Sequence, residues 1–271
     1  MSDQIARGSA WTARADVLLA AAGERGVLCD IYDEEAADIY HDLMQGGTSQ
    51  AREFTTRIPA GSGPILELAA GSGRLTFPLL ALGRKVTALE LSPAMLAILR
   101  RRLDDAPARL RDLCTLVQGD MSAFTLDRRF DVVVLDQSIT LLDGADRPGL
   151  YACVREHLEP GGRLLLTMAD SDAAKAKSVE RFQEVSGMSG RPYVLHERLS
   201  AADEVRELTI CPADETADPF VVCTTRIRLL QVDLIARELE QAGFEVIART
   251  PLAFAGARHN DVFLLEAARP S

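Results

Sequence analysis

Residues 64–73 read Pro64-Ile-Leu-Glu-Leu-Ala-Ala-Gly-Ser-Gly73. Ile65–Ala69 is an apolar run of strand length, and the glycines after it break any continuation. Leu75–Leu82 then reads as a helix closed by Gly83. Gly71 and Gly73 on such a strand-to-helix turn let the backbone approach a ligand closely and bare the first N–H groups of the helix.

The same rhythm repeats downstream. Lys85–Leu89 is a second strand ending on Glu90, and Ser92-Pro93 caps a helix to Leu103. Cys114–Gln118 is a third strand, followed by Gly119-Asp120-Met121. Phe130–Leu135 is a fourth, apolar on both faces as a buried parallel strand should be. Gly149–Leu158 is a helix, Pro160-Gly161-Gly162 a turn and Arg163–Met168 a fifth strand. Near the end, a helix over Val232–Ala242 precedes strands at Phe244–Ala248 and Val262–Ala267. Strands alternating with helices predict an α/β fold, a doubly wound, mostly parallel sheet of seven strands.

The flanking segments follow other patterns. Residues 1–26 suit a helix or an arm. Residues 30–46 read as one amphipathic helix, with Asp30, Glu34, Asp38 and Asp42 as an acidic stripe, stopped by Gly46-Gly47. Thr48-Ser49 can cap a second helix through Arg52 and Phe54. Tyr193–Leu199, Val205–Cys211 and Phe220–Leu229 look like three strands of an antiparallel insertion. The expected division is a helical N-terminal lid at 1–58, a core at 59–170 and 231–271, and an insertion at 171–230 covering the substrate site.

The chain has 271 residues, enough for a sizeable core, with 47% hydrophobic and 26% charged. A net charge of -10 argues against nucleic acid or an anionic membrane as partner and favours neutral or cationic substrates. Five scattered cysteines form no C-x-x-C pair, so neither a disulfide scaffold nor a metal site is expected. The apolar stretch Val17–Ala22 is too short for a signal or a bilayer span, which makes a cytoplasmic location the expectation.

The glycine turn by itself fits any nucleotide-binding sheet. Thr76 stands where a dinucleotide fingerprint has a third small residue, which disfavours a pyrophosphate site. Glu90 at a strand end can accept both hydroxyls of a ribose, and Asp120 can receive an adenine amino group while Met121 packs on the ring. Asp120 also suits a helix cap and Asp136 a structural loop acid.

Together, Glu67 to Gly73, Glu90, Gly119-Asp120-Met121 and Pro160-Gly161-Gly162 resemble the class I S-adenosylmethionine-dependent methyltransferases over residues 60–168. The resemblance implies S-adenosylmethionine as cofactor. Glu67, Ala69, Gly71 and Gly73 would surround its methionine end, Glu90 would hold the ribose, Leu91 would lie against the adenine, and Asp120 and Met121 would bind the base. Asp136 would face the sulfonium and the substrate. Ala69 departs from the family, where many members have glycine. Tyr32 and Tyr40 would close over the methyl group from a lid helix, Arg52 would meet the cofactor carboxylate, and Tyr40, His41 and Asp136 are the candidate catalytic residues. His196 is a second candidate base.

The segment from Tyr32-Asp33 to Tyr40-His41-Asp42 and the run Gly71-Ser-Gly-Arg-Leu-Thr to Leu79-Leu-Ala-Leu-Gly83 also resemble the methyltransferases of daptide biosynthesis. That implies an N-methyltransferase acting on the modified C-terminal amine of a ribosomal peptide, or on a small-molecule amine. The rivals are a small-molecule O-methyltransferase, a nicotinamide-dependent oxidoreductase and a non-catalytic binding protein. Asp136-Gln137-Ser138-Ile139 lacks the N-P-P-Y-type sequence of nucleobase amine methylation, and Arg100-Arg101-Arg102 reads as a solvated helix end.

Overall fold

The structure, a computed structural model, describes residues 13–44, 48–170, 179–200, 204–252 and 262–271. Its elements begin with α1 (Ala13–Ala22), β1 (Gly26–Asp30), α2 (Glu34–Met44), α3 (Thr48–Thr55), β2 (Ile65–Leu68) and α4 (Thr76–Ala81). They continue with β3 (Val86–Glu90), α5 (Pro93–Asp104), α6 (Ala108–Arg111), β4 (Cys114–Gln118), β5 (Phe130–Asp136), α7 (Arg147–His157) and β6 (Leu158–Ala169). The remainder is β7 (Val179–Ser186), β8 (Pro192–Ser200), β9 (Val205–Pro212), β10 (Phe220–Arg228), α8 (Val232–Gln241), β11 (Glu245–Leu252) and β12 (Val262–Ala268).

Two compact units result. One comprises Met1–Leu43 with Lys177–Ile227, the other Met44–Ala176 with Arg228–Ser271. These boundaries differ from those drawn on the sequence, because α1, β1 and α2 group with the insertion while α3 belongs with the core.

The larger unit is built on a seven-stranded sheet in the order β11-β12-β6-β5-β2-β3-β4. β5, β2, β3, β4 and β6 run parallel, and β12 and β11 add on antiparallel. This is the mostly parallel doubly wound sheet that the strand–helix alternation predicts. Alternate residues of each strand feed opposite faces. Leu66, Leu68, Val133 and Leu135 pack against Leu150, Val154, Ile235 and Leu239 of α7 and α8. Ile65, Val132 and Val134 pack against Phe54, Leu79, Leu80, Leu99 and Leu103 of α3, α4 and α5. Burying each such side chain contributes about 1.5–3 kcal/mol, so coverage of both faces holds the central strands rigid. α5 starts as expected, with the Ser92 hydroxyl accepting from the Met95 N–H at 3.3 Å and proline in the first turn. The Pro160-Gly161-Gly162 turn lies inside β6, where the register with β5 jumps from Leu158 to Arg163. Arg147 forks onto Glu238 through two 2.8 Å bonds and so ties α7 to α8.

Within the smaller unit a five-stranded sheet runs β1-β10-β9-β8-β7. One face packs Tyr193, Ile210, Val221 and Cys223 with Ile39, Tyr40 and Leu43 of α2, the other Cys211, Phe220 and Val222 with Leu18 and Leu19 of α1. Three of its strands match the predicted insertion; two do not. β7, Val-Glu-Arg-Phe-Gln-Glu-Val-Ser, is a mostly exposed edge strand. β1 pairs parallel with β10, so Asp30 ends a strand instead of starting a helix. The helix begins at Glu34, and the expected acidic stripe is broken up. Asp30 Oδ1 accepts from the Tyr32 N–H, and Asp42 accepts from the Ser189 N–H and hydroxyl and from the Tyr193 hydroxyl. The Gly46-Gly47 stop lies outside the described residues, as do the side chains of the Thr48-Ser49 cap. Among the described residues no helix is long and apolar enough to cross a membrane.

Candidate functional site

In the seven-stranded sheet the chain winds from β2 to β4 on one side and returns to β5 and β6 on the other. Ligands of such sheets bind beyond the carboxyl ends of the strands at this reversal. Three carboxyl groups arrive there on adjacent strands: Glu67 on β2, Glu90 ending β3 and Asp136 ending β5. Asp120 follows β4 by two residues.

Glu90 is buried, at 8% exposure. Its Oε2 accepts the Gly71 N–H at 2.8 Å and its Oε1 the Ser92 N–H at 2.8 Å. Burial raises its pKa against the pull of those amides. The Leu91 amide also bonds this carboxyl, and the acceptor capacity that is left suits a hydroxyl donor such as that of a ribose. Beside it Leu91 is 57% exposed, a bare apolar surface at the same strand end. The glycine loop is left-handed at Ala69 (φ 52), Gly71 (φ 56) and Gly73 (φ 91). A Cβ on Gly71 would meet nothing within 4 Å, so that side of the loop is open, whereas one on Gly73 would overlap Leu99 Cδ1. The φ of Ala69 accounts for the glycine that the family resemblance leads one to expect there. Alanine keeps the conformation at a cost of about 1–2 kcal/mol.

Glu67 is 3% exposed and accepts the Thr76 hydroxyl on Oε2 at 2.6 Å. Burial pushes its pKa up to about 8, with Asp136 and Glu90 adding to the rise and Thr76 and Arg74 opposing it. Thr76, read from the sequence only as an obstacle to pyrophosphate, is thus the partner of this acid. Asp120 Oδ1 accepts from the Ser122 N–H at 2.8 Å and its hydroxyl at 2.7 Å, which fixes the carboxylate in the loop after β4. Met121 is buried in the core cluster with Leu89 and Phe124.

Asp136 is held on both oxygens. Oδ2 pairs with Arg74 Nη2 and Oδ1 accepts the Thr167 hydroxyl, while Gln137, left-handed at φ 58, donates its N–H to Thr167. Arg74 also donates to Gln50 Oε1 on α3. The sequence reading gives Arg74, Gln50 and Thr167 no role in the site because their partners are distant along the chain; the fourth residue of Gly-Ser-Gly-Arg was the only local signal. Arg102 is a correction. It is not a solvated helix end: its guanidinium lies 4.5 Å from the Phe77 ring centre and donates to the Ser72 carbonyl, bracing the glycine loop.

The remaining candidates are carried by other elements. Arg52 is exposed on α3. Tyr32, Tyr40 and His41 belong to the smaller unit, where the two tyrosine rings meet edge to face at 5.3 Å. His196, on β8, is buried with Nε2 at 2.7 Å from Glu180 and its ring stacked on Phe182.

Residues 65–162 match the family model described as a methyltransferase domain. A solved structure, the glycopeptide N-methyltransferase MtfA complexed with S-adenosylmethionine, is 57% identical, with a TM-score of 0.68 over 96% of this chain and 98% of that one. The cypemycin N-terminal methyltransferase of Streptomyces sp is 29% identical over 52% of this chain and 57% of its own. A dTDP-amino-sugar N,N-dimethyltransferase of Streptomyces venezuelae is 34% identical over 49% and 56%. The match thus spans just over half the length of these two curated relatives.

Proposed function

We propose that this chain, which belongs to the class I S-adenosylmethionine-dependent methyltransferases, methylates an amine on a peptide-based natural product. The observation that carries the amine is the 57% identity, over nearly the whole of both chains, to a glycopeptide N-methyltransferase. Two further amine methyltransferases among the relatives support it, one acting on a peptide N-terminus and one on an amino sugar. A glycopeptide amine therefore takes precedence over the C-terminal amine that the daptide resemblance suggested. The net charge of -10 suits a substrate that arrives as a cation.

The cofactor is S-adenosylmethionine, and when bound it supplies an electrophilic methyl carbon on a sulfonium. In our reading Glu90 holds the ribose diol, Leu91 and Met121 line the adenine, and Asp120 takes its amino group. Glu67, Ala69, Gly71 and Gly73 surround the methionine end, with Arg52 on its carboxylate. Asp136, fixed by Arg74 and Thr167, presents an anchored negative charge on the substrate side. In-line transfer to nitrogen needs a neutral lone pair about 3 Å from the methyl carbon and exclusion of water. In the same reading Tyr32 and Tyr40 exclude the water and His41 takes the amine proton.

The test is product analysis after incubation with methyl-labelled S-adenosylmethionine and a panel of glycopeptides, peptide amines and phenols. Label on nitrogen is the expected result. Label confined to oxygen refutes the amine assignment.

A further inference from the structure

We propose that the face at the amino ends of β2, β3 and β5 is a docking surface for an acidic polypeptide, separate from the crevice at their carboxyl ends.

Three loops meet on this face: residues 62–64 before β2, 83–85 before β3 and 127–129 before β5. They line a hollow of about 510 Å³ that carries Arg84, Lys85, Arg128 and Arg129 against the single acid Asp127. A second hollow of about 720 Å³ shares Arg129 and adds Arg155 of α7 and Arg269 after β12. Of its two acids, Glu238 already holds Arg147 and the Tyr151 hydroxyl, which leaves Glu156. Asp131 at the start of β5 is taken up by the Gly63 N–H.

These cations are uncompensated. Arg74, Arg147, Arg163 and Arg249 of the same unit each sit on a carboxylate. Among the described residues Lys85, Arg128, Arg129 and Arg155 sit on none, in a chain with Asp+Glu 40 against Lys+Arg 30. Arg84 and Arg269 donate to the carbonyls of Ser62 and Leu158, which anchors the side chains without matching their charge. Like charges gathered on one face repel, and an anionic partner relieves that repulsion.

The surroundings select the class of partner. The cations come from four separate segments around two hollows, so they do not converge on one small anion. Pro64, Pro148 and Ala152 line the hollows and Leu82 is 40% exposed beside Gly83, which supplies the apolar contact that protein interfaces combine with arginine. A nucleic-acid strand would run off this face onto the remaining surface, which carries more than the net charge of -10. A compact acidic face avoids that surface, because at physiological salt charges more than about 8 Å apart are largely screened. The seven residues of β5 put about 20 Å between this face and the carboxyl ends, so a docked partner leaves the crevice open.

The test titrates the whole protein with three labelled probes of equal length, read by fluorescence anisotropy at low and at high salt. They are a glutamate-rich peptide, its glutamine counterpart and a single-stranded DNA. The glutamate peptide should bind most tightly and weaken as salt rises, and the glutamine peptide should not bind. In Arg128→Glu/Arg129→Glu its affinity should fall about tenfold or more. Arg100→Glu/Arg181→Glu reaches the same net charge through exposed arginines outside both hollows, and there the fall should be clearly smaller. On the unmodified protein the peptide should slow hydrogen exchange at residues 82–85 and 127–129. No binding of the glutamate peptide, equal losses in the two variants, protection confined to other segments, or DNA binding as tightly as the peptide would each overturn the proposal. The exchange map decides it even where a variant fails to fold.

Discussion

Two glycines, two residues apart in one loop, should respond oppositely in two assays. Gly71 and Gly73 both have positive φ, so alanine at either is strained by about 1–2 kcal/mol, partly offset by about 0.4–1 kcal/mol from a less disordered unfolded chain. Their surroundings differ. A Cβ at Gly73 falls closer than 3.0 Å to Leu99 Cδ1 and reaches Phe77 Cε2 and Arg102 Nη1 at 3.4 Å. Leu99 is fully buried in the core cluster, so it has little room to yield, and overpacking of this kind costs about 1–3 kcal/mol. Gly73→Ala should therefore lose about 2–4 kcal/mol and Gly71→Ala about 1 kcal/mol. For a chain of this size that is a fall in Tm of about 4–16 °C against about 2–4 °C. The assay is thermal unfolding followed by calorimetry or circular dichroism. For cofactor affinity the order should reverse: the open side of Gly71, where its added methyl would project, is where the methionine end is assigned. Gly71→Ala should weaken S-adenosylmethionine binding more than Gly73→Ala does. Equal Tm losses, or the larger loss at Gly71, would refute the packing argument, and an unchanged Kd in Gly71→Ala would refute the placement of the ligand.

Other outcomes follow from the same geometry. Glu90→Ala removes the acceptor for the ribose hydroxyls and should weaken S-adenosylmethionine binding by about 1–3 kcal/mol, or about 5–150-fold, in a titration; an unchanged Kd removes Glu90 from the site. Glu67 has a folded-state pKa above its unfolded value, so the native state holds a proton that the unfolded chain has released. Its contribution is fully present below about pH 4.5 and is lost as pH rises toward about 8, a swing of about 4–5 kcal/mol at most. Glu67→Gln should flatten that decline in Tm over the same window, and an unaltered profile would contradict it. Tyr40→Phe should lower turnover more than cofactor affinity in a steady-state assay on an accepted amine; full activity would leave Tyr40 as a packing residue beside Tyr32.

The sequence was most legible where the physics is local. Ile65–Leu68 and Phe130–Leu135 are short apolar runs because both faces of those strands are covered, and a residue at a strand's carboxyl end, such as Glu90 or Asp136, is placed by the strand alone. Gly73 was legible because no other residue fits its φ and its neighbours. The failures come from contacts that cross long stretches of chain. Asp30 continued a four-residue periodicity into what is a strand, since the partner of β1 is β10, nearly 200 residues away. β7 was missed because an exposed edge strand carries glutamates and arginine where a buried strand would be apolar. Arg102 looked like its two neighbours in a basic run, and only the fold brings Phe77 and the Ser72 carbonyl within its reach. The clamp of Arg74 on Asp136 spans 62 residues, and nothing in the loop's own sequence names that partner.

The most direct measurement is a crystal structure of the protein grown with S-adenosylmethionine. The ribose hydroxyls should lie on the Glu90 carboxylate, the adenine between Leu91 and Asp120, and the sulfonium between the glycine loop and Asp136. The same molecule bound away from the carboxyl ends of β2, β3 and β5, or no molecule at saturating concentration, would contradict the account.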